Sequence, residues 1–464
     1  MKAERNANFT ILDPPSESIL AWEQEGFSKT NYAGFSFEGP CDPAALNEAV
    51  RQAQAAWPHF HANLIPVRVG LYRTFAWHVR PEPGELVVRD FTTMESPPED
   101  LEAWIHPQMA GEMNRLQDLS REYPVKYILF LLPGDRCCFV IRFHHVAADA
   151  GALFTFVRDA LRIYHEKVTG TPPDWGDISG MHSQAGIVKP VQPVSGWRFL
   201  RDTLGEMRKY PLHRAANIAS ETDGKPGRNM IRHIITDGAV QKALRDRARG
   251  EGGSLSDLAT AASKLALQQW NDSRGAPSEI MVNGLAVNQR LRRPPSEVEK
   301  LGNPMSVITI PSNAADRLDP ERLLRHVVDC RRRKMDQGFD ILISRMGQKI
   351  LSAGRLLPLG LRYPFLRLFL EQRLSYFITN VGVPYPKMEG GRPTGETALK
   401  QVGRMELVDI HSSIGATKKT SSVLILRTLF GRLYLIFAFG RHRVAPEDAT
   451  AFYKLVVEKM LNYL

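Results

Sequence analysis

The sequence is poor in cysteine. Four cysteines in 464 residues offer no disulfide framework, since Cys137 and Cys138 are neighbours in an apolar run while Cys41 and Cys330 stand alone. No zinc ligand set can be drawn from them either, and a reducing compartment is expected. Long apolar runs are also missing: none approaches the roughly 18–20 residues that span a bilayer. The N-terminus, MKAERNANFTILDPPSESIL, lacks the apolar core of a signal peptide. Together these absences lead us to expect a cytoplasmic protein. Acidic residues are in the minority, with 50 Asp and Glu against 60 Lys and Arg, a net charge of +10. A positive surface favours anionic partners: nucleic acid, anionic lipid, a phosphorylated cofactor or an acidic carrier protein. The basic residues are scattered and no zinc-finger or RNA-binding signature occurs, so nucleic acid is not expected.

What is present is enough chain for two domains of ordinary size. In the first half, NYAGFSFEGP (31–40) alternates as a strand. Asp42 and Pro43 then cap and open a helix that places Leu46, Ala49, Val50, Ala53 and Trp57 on one face. VKYILFLLP and RCCFVIRFHH read as a strand pair turning at PGDR, and GALFTFVRDALRIYHEKVTG as an amphipathic helix ending at Gly170. Residues 171–230 are rich in proline, glycine and serine, with a basic helical piece, and read as a connection. A second unit starts near MIRHIIT. It holds the helix SLSDLATAASKLALQQW with a capping box from Ser254 to Asp257, five further strands, and a closing helix from Pro446. The predicted organisation is an N-terminal unit at 1–180, a crossover at 181–228 and a C-terminal unit at 229–464. Each unit is a mixed sheet flanked by helices, and no sequence repeat relates the two.

One stretch demands a chemical explanation. FVIRFHHVAADAGALF ends an apolar run on His144–His145 and opens a helix at Asp149. Neighbouring side chains on a strand point to opposite faces, so the pair does not easily share a metal ion. The metalloprotease spacing, two histidines one helical turn apart, is absent, and no metal is expected. Two readings stand. The histidines end a strand and Asp149 caps a helix, or one histidine serves as a general base near neutral pH. In the second reading Asp149 steadies the corner by pairing with a rigid arginine.

HHVAADAG resembles the His-His-x-x-x-Asp-Gly motif of the acyltransferase superfamily, which includes chloramphenicol acetyltransferase, plant acyltransferases, nonribosomal peptide condensation domains and bacterial wax ester synthases. The resemblance continues in order along the chain. GFSFEGPCDPAALNEAVRQAQAAWPHFHANL is similar to the family's opening strand and helix. GLAVNQRLRR is similar to the strand that supplies a structural arginine, here Arg290. LGNPMSVITIP and SYFITNVG are similar to the strands that follow. Two departures occur: Ala150 follows Asp149 and the glycine comes at Gly151, and the Asp-Phe-Gly-Trp-Gly motif of the plant branch is missing.

The resemblance implies an α/β fold of two chloramphenicol-acetyltransferase-like subdomains with an active-site channel between them. It implies that His145 is the catalytic base for acyl transfer from a thioester, acyl-CoA or an acyl carrier protein, to an alcohol. His144, Asp149 and Arg290 are then structural supports, and Thr379 or Asn380 faces the oxyanion. No bound cofactor is implied beyond that co-substrate. Two alternatives are a condensation-type enzyme forming amides on carrier-bound substrates, and a non-catalytic thioester- or carrier-binding protein for which Ala150 is the main support. The segment 345–373 interleaves apolar residues with Arg345, Lys349, Arg355, Arg362, Arg367 and Arg373, and Pro358 and Pro364 break it. It suits either peripheral membrane contact for a lipophilic acceptor or a pair of helices packed on the second unit. A site between two units of one chain can work in a monomer.

Overall fold

A computed structural model of the chain describes residues 9–23, 27–96, 98–176, 181–182, 193–292, 303, 305–370, 374–389, 392–415, 417–420 and 422–464. The N-terminal residues 1–8, most of the proline-rich stretch 177–192, Gly302 and Arg373 lie outside them.

The first sheet runs in the order Gln401–Val402, Met405–Ser413, Thr30–Glu38, Arg136–His144, Val125–Leu132, Leu86–Asp90. The strand Arg136–His144 sits near its centre, with His144 opposite Thr30 and Phe139 opposite Phe35. Cys137, Phe139, Ile141 and Phe143 join the core cluster that holds Val50 of the helix Pro43–Gln54, Trp57 just beyond that helix's end, and Leu153 and Val157 of a second helix. Cys138 and Val140 pack on the other face with Ile105 and Met109 of the helix Leu101–Asn114. Burial on both faces explains an apolar run in place of alternation. At the PGDR turn Gly134 and Asp135 take φ of 73° and 52°.

The second sheet runs Met305–Ser312, Met281–Asn288, Tyr376–Pro384, Ser422–Leu429, Arg432–Gly440, Arg228–Ile235. It is mixed: the second, third and fourth of these strands are parallel neighbours. The helices Leu255–Asp272, Pro320–Asp336 and Pro446–Leu461 share its core. The Ser254–Asp257 box is formed, with both the backbone N–H and the hydroxyl of Ser254 donating to Asp257 Oδ2 at 2.7 and 2.9 Å.

The sheets do not follow the halves of the chain. Met405–Ser413 leaves the second half and pairs antiparallel with Thr30–Glu38, placing Ile410 opposite Phe35. Arg232, on the edge strand of the second sheet, meets Asp409 at 2.7 Å and Glu102 at 2.9 Å. His411 Nε2 lies 2.6 Å from Ser36 Oγ. Buried Arg228 donates to Asn31 Oδ1 and Ser28 O, each at 3.1 Å.

Of the segment 345–373, residues 345–354 and 359–370 lie in two helices, Phe339–Gly354 and Leu359–Leu370, and 371–373 lie outside the described residues. Pro358 separates them, but Pro364 lies inside the second, contrary to the expectation that both prolines break the segment. The pair does not rest on the second unit alone: it also packs on the N-terminal helix Pro14–Trp22. Three of its arginines turn inward. Buried Glu17 accepts from Arg355 Nε at 2.7 Å and from Arg362 Nη1 at 2.9 Å. Arg367 donates to the carbonyls of Ala21 and Glu23 at 2.6 and 2.9 Å. Among the described residues no helix is long and apolar enough to cross a membrane.

Candidate active site

The histidine strand ends at His144, which is fully buried. Its Nδ1 accepts the Val146 N–H at 3.1 Å, so that nitrogen carries no proton. The proton therefore sits on Nε2 and is donated to Glu23 Oε1, 3.1 Å away. Burial raises the Glu23 pKa, but the hydrogen bond and charge of His144 and the Lys29 N–H outweigh it and leave a net lowering. Both nitrogens of His144 are thus occupied, and neither is left for a metal. Among the described residues no group of three or more His, Cys, Asp or Glu gathers in a metal-binding arrangement.

His145 is oriented the other way. Its backbone N–H donates to Lys29 O at 2.8 Å, and its ring Nδ1 lies 3.0 Å from Ala148 O. A carbonyl can only accept, so Nδ1 bears the proton and Nε2 presents its lone pair. Among the described residues no side chain or backbone group bonds to that Nε2. Burial pulls the His145 pKa below its ordinary 6.5, against a backbone hydrogen bond and the Asp149 carboxylate, which oppose it. The neutral imidazole therefore prevails at neutral pH.

The corner after His145 is held carbonyl by carbonyl. Asn303 Nδ2 lies 2.9 Å from His145 O and 3.1 Å from Val146 O. His59 Nε2 donates to Ala147 O at 3.2 Å, and Ala148 O takes the His145 ring proton. Burial lowers the His59 pKa to about 4, so it too is neutral. Four successive carbonyls of an irregular turn have named donors, which leaves the imidazole little freedom to move.

Asp149 divides its carboxylate. It is the N-cap of the helix Ala150–Thr169, with Oδ1 accepting the Ala152 N–H at 2.9 Å. Oδ2 lies 2.7 Å from Arg290 Nη1. The capping reading and the arginine-pairing reading both hold, one oxygen each. Arg290 sits just past the strand Met281–Asn288, in a 3-10 turn, and not on the strand itself. Asn288 Oδ1 accepts its backbone N–H at 2.9 Å. Ala150 opens the helix with no positive φ, so a methyl group there is unstrained. The glycine requirement belongs to Gly151: a Cβ on it would stand 2.6 Å from Arg290 Nη1. Glycine permits the close approach of the guanidinium, which any side chain there would oblige to shift.

Thr379 and Asn380 lie on the strand Tyr376–Pro384. Asn380 donates to Ser256 Oγ at 3.1 Å and accepts the Gly382 N–H at 2.8 Å across a bulge where Gly382 has φ 74°. No hydrogen bond among the described residues joins either residue to His145. Glu23, Asn303 and His59 are not among the site residues that the sequence predicts. Asn303 and His59 lie within stretches that carried the resemblance, LGNPMSVITIP and PHFHANL, but Glu23 had no local signal.

No protein-family model matches the chain. Over 148 residues, 30% of this chain, it is 36% identical to a probable non-canonical nonribosomal peptide synthetase of Salinispora arenicola, CymA, of which 2% is covered. Over 102 residues, 22% of this chain, it is 28% identical to an isonitrile lipopeptide synthase of Mycobacterium tuberculosis, of which 4% is covered. The matched stretches span only a small part of these relatives. Among solved structures, the starter condensation domain of rhizomide synthetase in complex with C8-CoA superposes with a TM-score of 0.66 at 14% identity, over 98% of this chain and 94% of that one. The trichothecene 15-O-acetyltransferase of Fusarium sporotrichioides gives 0.68 at 12%, over 98% and 95%. The first condensation domain of the calcium-dependent antibiotic synthetase gives 0.68 at 14%, over 97% and 95%. The chain has the two-subdomain fold that these condensation domains share with the acetyltransferase, the fold implied by the motif resemblance.

Proposed function

We propose that this protein transfers an acyl group from a thioester to an alcohol, with His145 as the general base. One observation carries the reading: the Nδ1–H bond to Ala148 O leaves Nε2 as an unprotonated nitrogen on an immobilised corner. Nε2 takes the acceptor's proton as the acceptor oxygen bonds to the thioester carbonyl carbon. The tetrahedral intermediate collapses, the carbon–sulfur bond breaks, and the proton on Nε2 passes to the departing thiolate. Binding both partners supplies the proximity, and no covalent acyl-enzyme is required. His144, Asp149 and Arg290 hold the base in place. The oxyanion role of Thr379 or Asn380 has no geometric support beyond a second, unspent amide hydrogen on Asn380. The donor is acyl-CoA or an acyl carrier protein, and both are anionic partners for a basic chain.

A second reading, an amine acceptor and an amide product, is favoured by the names of the relatives, a nonribosomal peptide synthetase and a lipopeptide synthase. The same base serves either acceptor. The non-catalytic reading loses its main support because Ala150 is accommodated without strain.

The test is thiol release from acyl-CoA and acyl-carrier donors, with alcohol and amine acceptors, in wild type and His145→Ala. Acceptor-dependent release should fall by roughly 100-fold or more in the variant, the scale of general-base catalysis. Release unaltered by His145→Ala would sink the mechanism.

A further inference from the structure

The helix Gly196–Lys209 lies in the crossover between the two halves. Trp197, Leu200, Leu204 and Met207 are 75%, 44%, 52% and 47% exposed. Their spacing of three, four and three residues puts them on one face, a stripe of about 15 Å. The opposite face is anchored to the protein. Phe199 is buried, with its ring edge-on to Phe339 at 4.9 Å between centroids. Glu206 meets Lys334 at 2.6 Å, and the Tyr210 hydroxyl meets Asp316 at 3.1 Å. The helix is therefore firmly docked with its apolar side turned outward.

Its charges are sorted as well. At 100° per residue, Arg201 and Arg208 fall on the shoulder of the stripe. Of the two carboxylates, Glu206 faces inward and Asp202 lies off the stripe against Arg198 and Arg201. The outward face thus presents apolar side chains flanked by Arg208 and by Arg201, which shares the single Asp202 carboxylate with Arg198, so cations outnumber carboxylates there. Whatever covers it brings negative charge above an apolar layer. A second copy would bring the same arginines to the contact and no uncompensated carboxylate to meet them. An anionic bilayer meets both demands, with the Trp197 ring at headgroup level.

We propose that this helix seats the protein on an anionic lipid surface. The segment 345–373, the sequence's own candidate for that contact, spends Arg355, Arg362 and Arg367 internally. The proposal does not depend on acyl transfer.

The experiment is co-sedimentation of the full chain with phosphatidylcholine vesicles, with and without phosphatidylglycerol. Binding is expected only with the anionic lipid, and it should weaken about fivefold for Arg208→Gln and less for Arg201→Gln, whose charge is shared with Asp202. Trp197→Ala with Leu204→Ser should abolish it without altering thermal unfolding, since both side chains are exposed. Leu71→Ser, a substitution at a residue 79% exposed in the turn between the strands Ala62–Val69 and Tyr72–Val79, should leave binding intact. The proposal is overturned if anionic vesicles are not bound, if the stripe variants bind as wild type does, or if Leu71→Ser loses binding equally. Soluble dimers that dissociate in the stripe variants would overturn it in favour of self-association. Capture by polyglutamate that survives Leu204→Ser would overturn it in favour of an acidic protein partner.

Discussion

His144 and His145 are adjacent in the chain and opposite in chemistry. A backbone N–H holds the first ring's Nδ1 as an acceptor, while a backbone carbonyl holds the second ring's Nδ1 as a donor. One atom of local geometry thus decides which imidazole offers a base. The lowered His145 pKa gives a sign to the pH dependence. The base form is the neutral one, so kcat/KM should be flat above neutrality and fall as pH drops, with a midpoint below 6.5. A pH–rate profile with its acidic limb above that value would contradict the assignment. At Gly151 the expected result of Gly151→Ala is loss of turnover despite a better helix former, because Arg290 must withdraw from Asp149. The readout is kcat/KM beside far-UV circular dichroism, with the helix signal retained.

The unit that matters at the next scale is the strand end, the turn and the helix it feeds. Asp149 joins two functions in one carboxylate, capping and ion pairing, and both side chains of the pair with Arg290 are only 12% exposed. Removing one partner deprives the other of this ion pair at a largely buried position. Asp149→Ala and Arg290→Ala should each cost about 3 kcal/mol, and the double variant less than their sum, by roughly 0.5–3 kcal/mol. Asp149→Asn keeps an oxygen for the Ala152 N–H and should retain the cap contribution of about 1 kcal/mol. Denaturant unfolding of the full cycle measures all of these. Additive single variants would mean that the pair is not coupled.

At the scale of the molecule, the two sheets are stitched by elements far apart in the chain. The strand Met405–Ser413 completes the first sheet from the second half, and Arg232 ties it back to the second sheet. On another flank Glu17 receives Arg355 and Arg362, and Glu17 and Arg362 are essentially inaccessible to solvent. Glu17→Gln should destabilise the protein by about 3–5 kcal/mol, since buried Arg362 and partly buried Arg355 lose their counter-charge. A loss below about 1 kcal/mol, read from chemical denaturation, would show that water reaches that pair.

The sequence by itself determined what is local. The caps at Asp42 and Ser254, the turn at PGDR, the apolar run to His144 and the helix after Asp149 are written in short-range spacing and backbone preference. Arg290 came into view through ordered resemblance, since no periodicity links positions 149 and 290. Only the tertiary structure decided the rest. A strand's alternation tells which face is buried but not which strand lies beside it, so the return of Met405–Ser413 to the first sheet had no local mark. Charged residues in an amphipathic run read as solvent-facing until a partner is seen, and the partner of Arg362 is 345 residues away at Glu17. Asn303, His59 and Glu23 hold the histidine corner for the same reason: a hydrogen bond depends on position in space, and folding alone brings such distant residues together.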